Sequence, residues 1–198
     1  MSWNALEMYT NGLEVFTSVV ESVGDDGWSR TSPCEGWSAL DVLGHVGAAT
    51  SMGAVILRGG DMAFERLDQP SGLVEGDPAT WWRGLATEAR DALSSVDDLD
   101  REVDSPMGKR TVRDGLSFPA VDLFVHAWDL AASAGQSVTF PDEAVEFIRA
   151  LFAQVPVEAS RRPGVFSAEV AATNDASPTE QVIAFTGRDP GWSGTDAG

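Results

Sequence analysis

The sequence predicts a mostly α fold, a four-helix bundle carrying a small C-terminal appendage of α and short β structure. Three observations predict it. Apolar residues recur at three- to four-residue intervals in four long segments. Capping residues, prolines and glycines mark where those segments start and stop. A long Gly- and Pro-containing connection, 61–77, separates the second segment from the third.

The first helix spans 2–23, with Trp3, Leu6, Leu13, Phe16 and Val20 along one face, and Gly24-Asp25-Asp26-Gly27 breaks it. Ser38-Ala39-Leu40-Asp41 begins the second with a capping box, in which the serine oxygen and the acidic group each satisfy an orphan backbone N–H. That helix runs to about Leu57 and stops at Gly59-Gly60. Asp77-Pro78 opens the third, since proline suits the first helical position. Trp81, Trp82, Leu85, Ala89 and Leu93 form its apolar stripe. The helical period fails over 99–112, where a turn around Pro106 and Gly108 reads as an irregular connection or a short hairpin.

The fourth helix runs from about Phe118 to Ala134 and closes at Gly135. A further amphipathic helix covers 141–155, a strand is expected over 165–171, and Ser177-Pro178-Thr179-Glu180 caps a short helix ending at Gly187. Residues 193–198 read as a frayed tail. The domain division this implies is a bundle over 1–138 and an appendage over 139–198.

Composition narrows the function classes. Apolar residues make up 43% of the 198, enough for one well-buried core. A formal net charge of −18 repels phosphate backbones and anionic membranes, so neither nucleic acid nor membrane is an expected partner. Cys34 is the only cysteine, so no intrachain disulfide forms, and a reducing, cytoplasmic location is expected. The segment beginning MSWNALEMYT lacks the basic start and apolar run of a signal peptide, and no stretch reaches 18 consecutive apolar residues.

The chemistry concentrates in the fourth helix. Ten of the thirteen residues from Ala120 to Ala132 are apolar, and the exceptions, Asp122, His126 and Asp129, fall on one line at i, i+4 and i+7. The line is either the solvent face of a buried helix or a ligand set. A solvent face usually carries lysine, glutamate or arginine, and this one has none. A carboxylate and an imidazole one turn apart can bind a single ion. His45, the only other histidine, lies on the second helix in line with Val42, Val46 and Ala49, so it faces the core as a hydrogen-bonded residue or as a third ligand. Two histidines and one carboxylate would leave positions open for water or substrate, as catalytic zinc sites do. Asp129 would orient a ligand histidine or stay solvated. Cys34, with neither histidine left over as its base, reads as structural.

These residues also carry a family likeness. Pro33-Cys34-Glu35-Gly36-Trp37-Ser38 running into Leu43-Gly44-His45 resembles the second-helix signature of the DinB/YfiT-like metalloenzyme superfamily, in its actinobacterial branch related to mycothiol-dependent maleylpyruvate isomerase. Val125-His126-Ala127-Trp128-Asp129-Leu130-Ala131 with Gly135 resembles the second signature of that branch, and Phe185 to Pro190, closing at Trp192, a C-terminal one. The resemblance implies a DinB-like four-helix bundle whose metal is held by His45, Asp122 and His126. Aspartate stands where relatives often carry glutamate or histidine, and the C-terminal region is shorter than the isomerase's second domain.

The function so implied is a zinc-dependent enzyme that activates a low-molecular-weight thiol, mycothiol, toward a small electrophile, giving isomerisation or S-transfer. Arg188, or Arg110 and Arg113, would meet an anionic substrate. Metal-assisted hydrolysis, and a non-enzymatic metal- or ligand-binding bundle, stay open as alternatives. A homodimer stays open beside a monomer.

Overall fold

The computed structural model describes residues 4–60, 68–103, 109–154 and 166–194. Its helices are α1 (Ala5–Ser22), α2 (Ala39–Leu57), α3 (Pro78–Ser94), a single turn α4 (Val112–Gly115), α5 (Ser117–Ser133), α6 (Asp142–Phe152) and α7 (Pro178–Phe185). Two short strands, β1 (Glu102–Val103) and β2 (Arg110–Thr111), pair antiparallel, so the irregular connection is a hairpin. Pro106 and Gly108 of its expected turn lie outside the described residues, as do Trp3, Val155, Val165 and residues 61–67 and 195–198.

The start signals act through the predicted contacts. Ser38 Oγ accepts from Asp41 N–H while the Asp41 carboxylate accepts from Ser38 N–H, and Ser177 with Glu180 repeats the arrangement at α7. Asp77 caps α3 with Pro78 in its first turn. Asn4 caps α1, which therefore starts three residues after the expected boundary. At the far end of α2, the Arg101 guanidinium donates to the Ile56 and Leu57 carbonyls, at 3.0 and 3.3 Å, placing positive charge on the negative end of the helix.

Residue pairs fix the helix directions. Gly12 lies against Leu123 and Ser22 bonds Gln136, so α1 and α5 run the same way. Ala39, at the start of α2, bonds Arg30, whose guanidinium reaches the Ala134 carbonyl at the end of α5, so α2 runs opposite to α5. Gly47 of α2 and Arg58 at its C-cap meet Trp81 and Glu88 of α3, so α2 and α3 are parallel. Parallel neighbours need a long crossover, and this explains the length of the 58–77 connection. In the core Phe16 and Trp82, both fully buried, pack edge to face at 4.6 Å, and the Trp82 indole donates to Thr17 Oγ1 at 2.8 Å.

Two α2 glycines allow close approach. A methyl at Gly44 would meet the Pro70 carbonyl, and one at Gly47 the Trp81 ring. By length and composition α2 could cross a membrane; in this structure half of that stretch is buried inside the bundle, against α3 and α5.

One expected element is absent. Residues 166–171 form no strand, because among the described residues no second strand lies beside them; Val170 N–H bonds the Ala184 carbonyl instead. The segment packs on α7 as irregular backbone. A cavity of about 890 Å³ lies between it, α6 and α7, lined by Ile148, Phe152, Glu169 and Phe185.

Candidate metal centre

Two helices and one turn build the site. On α5, Asp122 and His126 are one turn apart and project from the same face toward α2, which presents His45. Before α2, a tight turn closed by Trp37 N–H to the Cys34 carbonyl at 3.0 Å, with Gly36 at φ 78°, sets Cys34 and Trp37 beside the histidines. The Trp37 ring lies 5.1 Å from that of His45 and 6.5 Å from that of His126.

The His126 ring has two different faces. On its Nε2 face, Asp122 Oδ1 lies at 3.4 Å, and Asp122 Oδ2 lies 3.6 Å from His45 Nε2. One ligand atom from each of the three residues falls within 4.8 Å of the others. Those separations are long for good hydrogen bonds. They are close to the spacing of about 3.3 Å between donors bonded at about 2.0–2.1 Å to a tetrahedral cation. His45 and Asp122 keep 25% and 35% of their side chains exposed and His126 only 8%, so the centre is open on one side.

On the Nδ1 face, Asp129 Oδ2 lies at 2.8 Å. The same carboxylate accepts from Cys34 Sγ at 3.3 Å and is gripped by Arg188, Nε on Oδ1 at 2.7 Å and Nη2 on Oδ2 at 2.8 Å. Asp129 is fully buried with its acceptor capacity filled. Cys34, His126 and Asp129 also have ligand-type atoms close enough to share an ion. The guanidinium already supplies the cation there, and a second positive charge would be repelled. The donor set that fits a metal is therefore the one on the Nε2 face.

Electrostatics follow the same division. Burial opposes charge on Asp122, and the attraction and hydrogen bonds of His126 and His45 outweigh it, holding the carboxyl far below its usual range. Burial likewise opposes charge on His126, and Asp122 with Asp129 outweighs it, holding the imidazole well above its usual value. Asp129 is depressed against burial mainly by Arg188. Burial first, then the Asp129 carboxylate, pushes the Cys34 thiol up. The Cys34 thiol donates to Asp129.

The structure brings together His45, Asp122, His126, Asp129 and Arg188. Arg188 is at the site with its guanidinium committed to Asp129, where the sequence alone suggested an anionic substrate. Arg110 and Arg113 are not brought there: Arg113 pairs with Asp100 at 3.4 Å, and Arg110 is exposed on β2. Arg110 lies on the hairpin and Arg113 on α4, the turn packed against it. Sequence reasoning missed the part of Cys34 in the buried array. The signal was its position four residues before the capping box, which brings the turn back over the start of α2.

Comparison with known proteins agrees with this architecture. Residues 10–131 match the family model described as the mycothiol maleylpyruvate isomerase N-terminal domain. Two Mycobacterium tuberculosis proteins, Uncharacterized protein MT0763 (strain CDC 1551 / Oshkosh) and Uncharacterized protein Rv0738 (strain ATCC 25618 / H37Rv), are each 29% identical over 186 residues, covering 92% of this chain and 97% of theirs. The crystal structure of the mycothiol-dependent maleylpyruvate isomerase superposes with a TM-score of 0.67 at 15% identity, covering 94% of this chain and 89% of that one. A histidine-to-alanine mutant of the isomerase gives 0.61 at 13% identity, covering 90% and 85%. At such identities the likeness shows the fold, and its 89% coverage leaves little of the isomerase without a counterpart, less than the shorter C-terminal region led us to expect. With its family model spanning α1 to α5 and both helix motifs in place, the chain belongs to the mycothiol maleylpyruvate isomerase N-terminal domain family.

Proposed function

We propose that the chain is a metal- and thiol-dependent enzyme of the isomerase or S-transferase type, with zinc held by His45, Asp122 and His126 and mycothiol as thiol cosubstrate. The observation that carries this reading is the convergence of three ligand-type side chains from two helices, within 4.8 Å of one another and open on one side. Family membership supports the thiol, since the isomerase of known structure is described as mycothiol-dependent.

Each residue then has a physical task. Asp129 accepts from Nδ1–H of His126, so a metal displaces the proton from Nε2, the nitrogen that faces His45 and Asp122. Asp122 brings the one negative charge among the three ligands. Trp37 walls the site beside both imidazoles. A bound divalent cation would favour thiolate over thiol near neutral pH and so supply the nucleophile. Residues 1–138 would carry the ligands, and 139–198 would close over the buried side of His126.

The test combines metal analysis with activity. Purified protein should carry about one zinc per chain. It should turn over maleylpyruvate or a small electrophile only when mycothiol is present, and His45→Ala should abolish both properties. Metal-free protein whose zinc titration is unchanged by His45→Ala would contradict the proposal.

A further inference from the structure

We infer that the segment following α7 sets the metal affinity of the centre through Arg188, a positioning residue, although that segment supplies no ligand. The inference rests on the metal reading above. Arg188 lies 59 residues from Asp129 in sequence and outside the stretch that matches the family model. Its two bonds to Asp129 use both carboxylate oxygens, so the carboxylate plane is fixed as well as its position. Asp129 in turn is the partner of His126 Nδ1. A ring held on one nitrogen has its other nitrogen aimed, and a small rotation would swing Nε2 away from His45 and Asp122.

The segment is built to deliver Arg188. Thr186, 1% exposed, ends α7, and its Oγ1 lies 3.4 Å from Arg188 Nη1. Gly187 then turns the chain at φ 88°, and a methyl there would come within 2.6 Å of Ser167 Cβ and 2.8 Å of the Ala168 carbonyl. Glycine is required on both counts. At the other end of α7, Thr179 Oγ1 accepts from Phe140 N–H at 2.9 Å, which ties the helix to the chain leaving α5. Trp192, beyond Arg188, packs against the core. The guanidinium is thus anchored on both sides, and its docking and the geometry of His126 form one coupled unit. By linkage, a metal that favours the held ring must also favour the docked segment.

Zinc affinity of the full chain, measured by competition with a chromophoric chelator, tests this on wild type, Arg188→Met, Arg188→Lys and Gly187→Ala. Hydrogen exchange over 183–192 is followed with and without zinc. Arg188→Met should weaken zinc binding about 10–100-fold, the usual cost of losing a partner behind a ligand. Arg188→Lys should recover part of the loss, because an ammonium cannot grip both oxygens in one plane. Gly187→Ala, which keeps the guanidinium but strains its turn, should fall between them. Zinc should slow exchange over 183–192 in wild type and much less in Arg188→Met. If Arg188→Met does not fold, the lysine and Gly187→Ala variants decide. Folded Arg188 and Gly187 variants that bind zinc within about two-fold of wild type would overturn the inference alone. A wild type that binds no zinc would overturn the metal reading and this inference with it.

Discussion

The two faces of the His126 imidazole have opposite designs. The Nδ1 face is closed: Asp129, Cys34 and Arg188 bring negative charge, a thiol donor and positive charge, and they satisfy one another out of solvent. The Nε2 face is open, with two ligand-type neighbours spaced too widely for strong hydrogen bonds. A buried array that is complete in itself holds a ring still. An incomplete one at the end of that ring is where a ligand can enter. Local charge balance, more than the number of nearby donors, thus sets the two overlapping donor sets apart.

The largest effect is expected from unbalancing the closed face. Asp129→Asn removes the carboxylate that Arg188 grips and leaves a buried guanidinium without its counter-charge. Such a loss costs about 3–5 kcal/mol, which urea unfolding at neutral pH will read as a lower midpoint. A cost below about 1 kcal/mol, the range of exposed pairs, would mean that the array is solvated.

A smaller effect is expected where packing supports the open face. Gly44→Ala forces a methyl onto the Pro70 carbonyl, one residue from His45, and overpacking of that kind costs about 1–3 kcal/mol. The same variant should weaken zinc binding by displacing His45, while Gly24→Ala, with open space around it, should not. Equal zinc affinity in the two variants would detach His45 from the centre.

The smallest effect concerns pH. Burial tends to raise Asp41, but its bonds with Ser38 and Ser71 prevail and hold it below the ordinary carboxylate value. A depressed carboxyl stabilises the fold fully above its unfolded value of about 3.9, and the contribution is lost as pH falls through the folded value. Asp41→Asn should therefore lower stability at pH 7 by about 1 kcal/mol. The gap between wild type and variant should close as pH falls below the unfolded value. A gap that persists in acid would mean that the residue acts through shape alone.

Much of the fold was legible because its signals are local. Ser38 with Asp41, Pro78 behind Asp77, Gly135 after α5 and Ser177 with Glu180 each act within four residues, where sequence and geometry are tightly linked. The strand expected over 165–171 had the right composition, but strandhood needs a partner, and that depends on the rest of the chain. The site divides the same way. Asp122, His126 and Asp129 could be read together because helix periodicity puts them on one line, and His45 joined them through scarcity and facing. The closed face could not be read: Cys34, Asp129 and Arg188 are separated by 95 and 59 residues, and only tertiary packing brings them together. Arg188 was noticed in sequence, yet a guanidinium suits a substrate anion as well as a buried carboxylate, and only its 2.7 Å contact separates the two roles.

In the proposed function a metal enters through the Nε2 face of His126 and shares His45 and Asp122. With only two histidines in the chain, imidazole nitrogen-15 NMR during a zinc titration tests it directly. One equivalent of zinc should move the Nε2 resonances of both rings to metal-bound positions while Nδ1 of His126 keeps its proton. Coordination at Nδ1 of His126, or a response from one ring only, would contradict it.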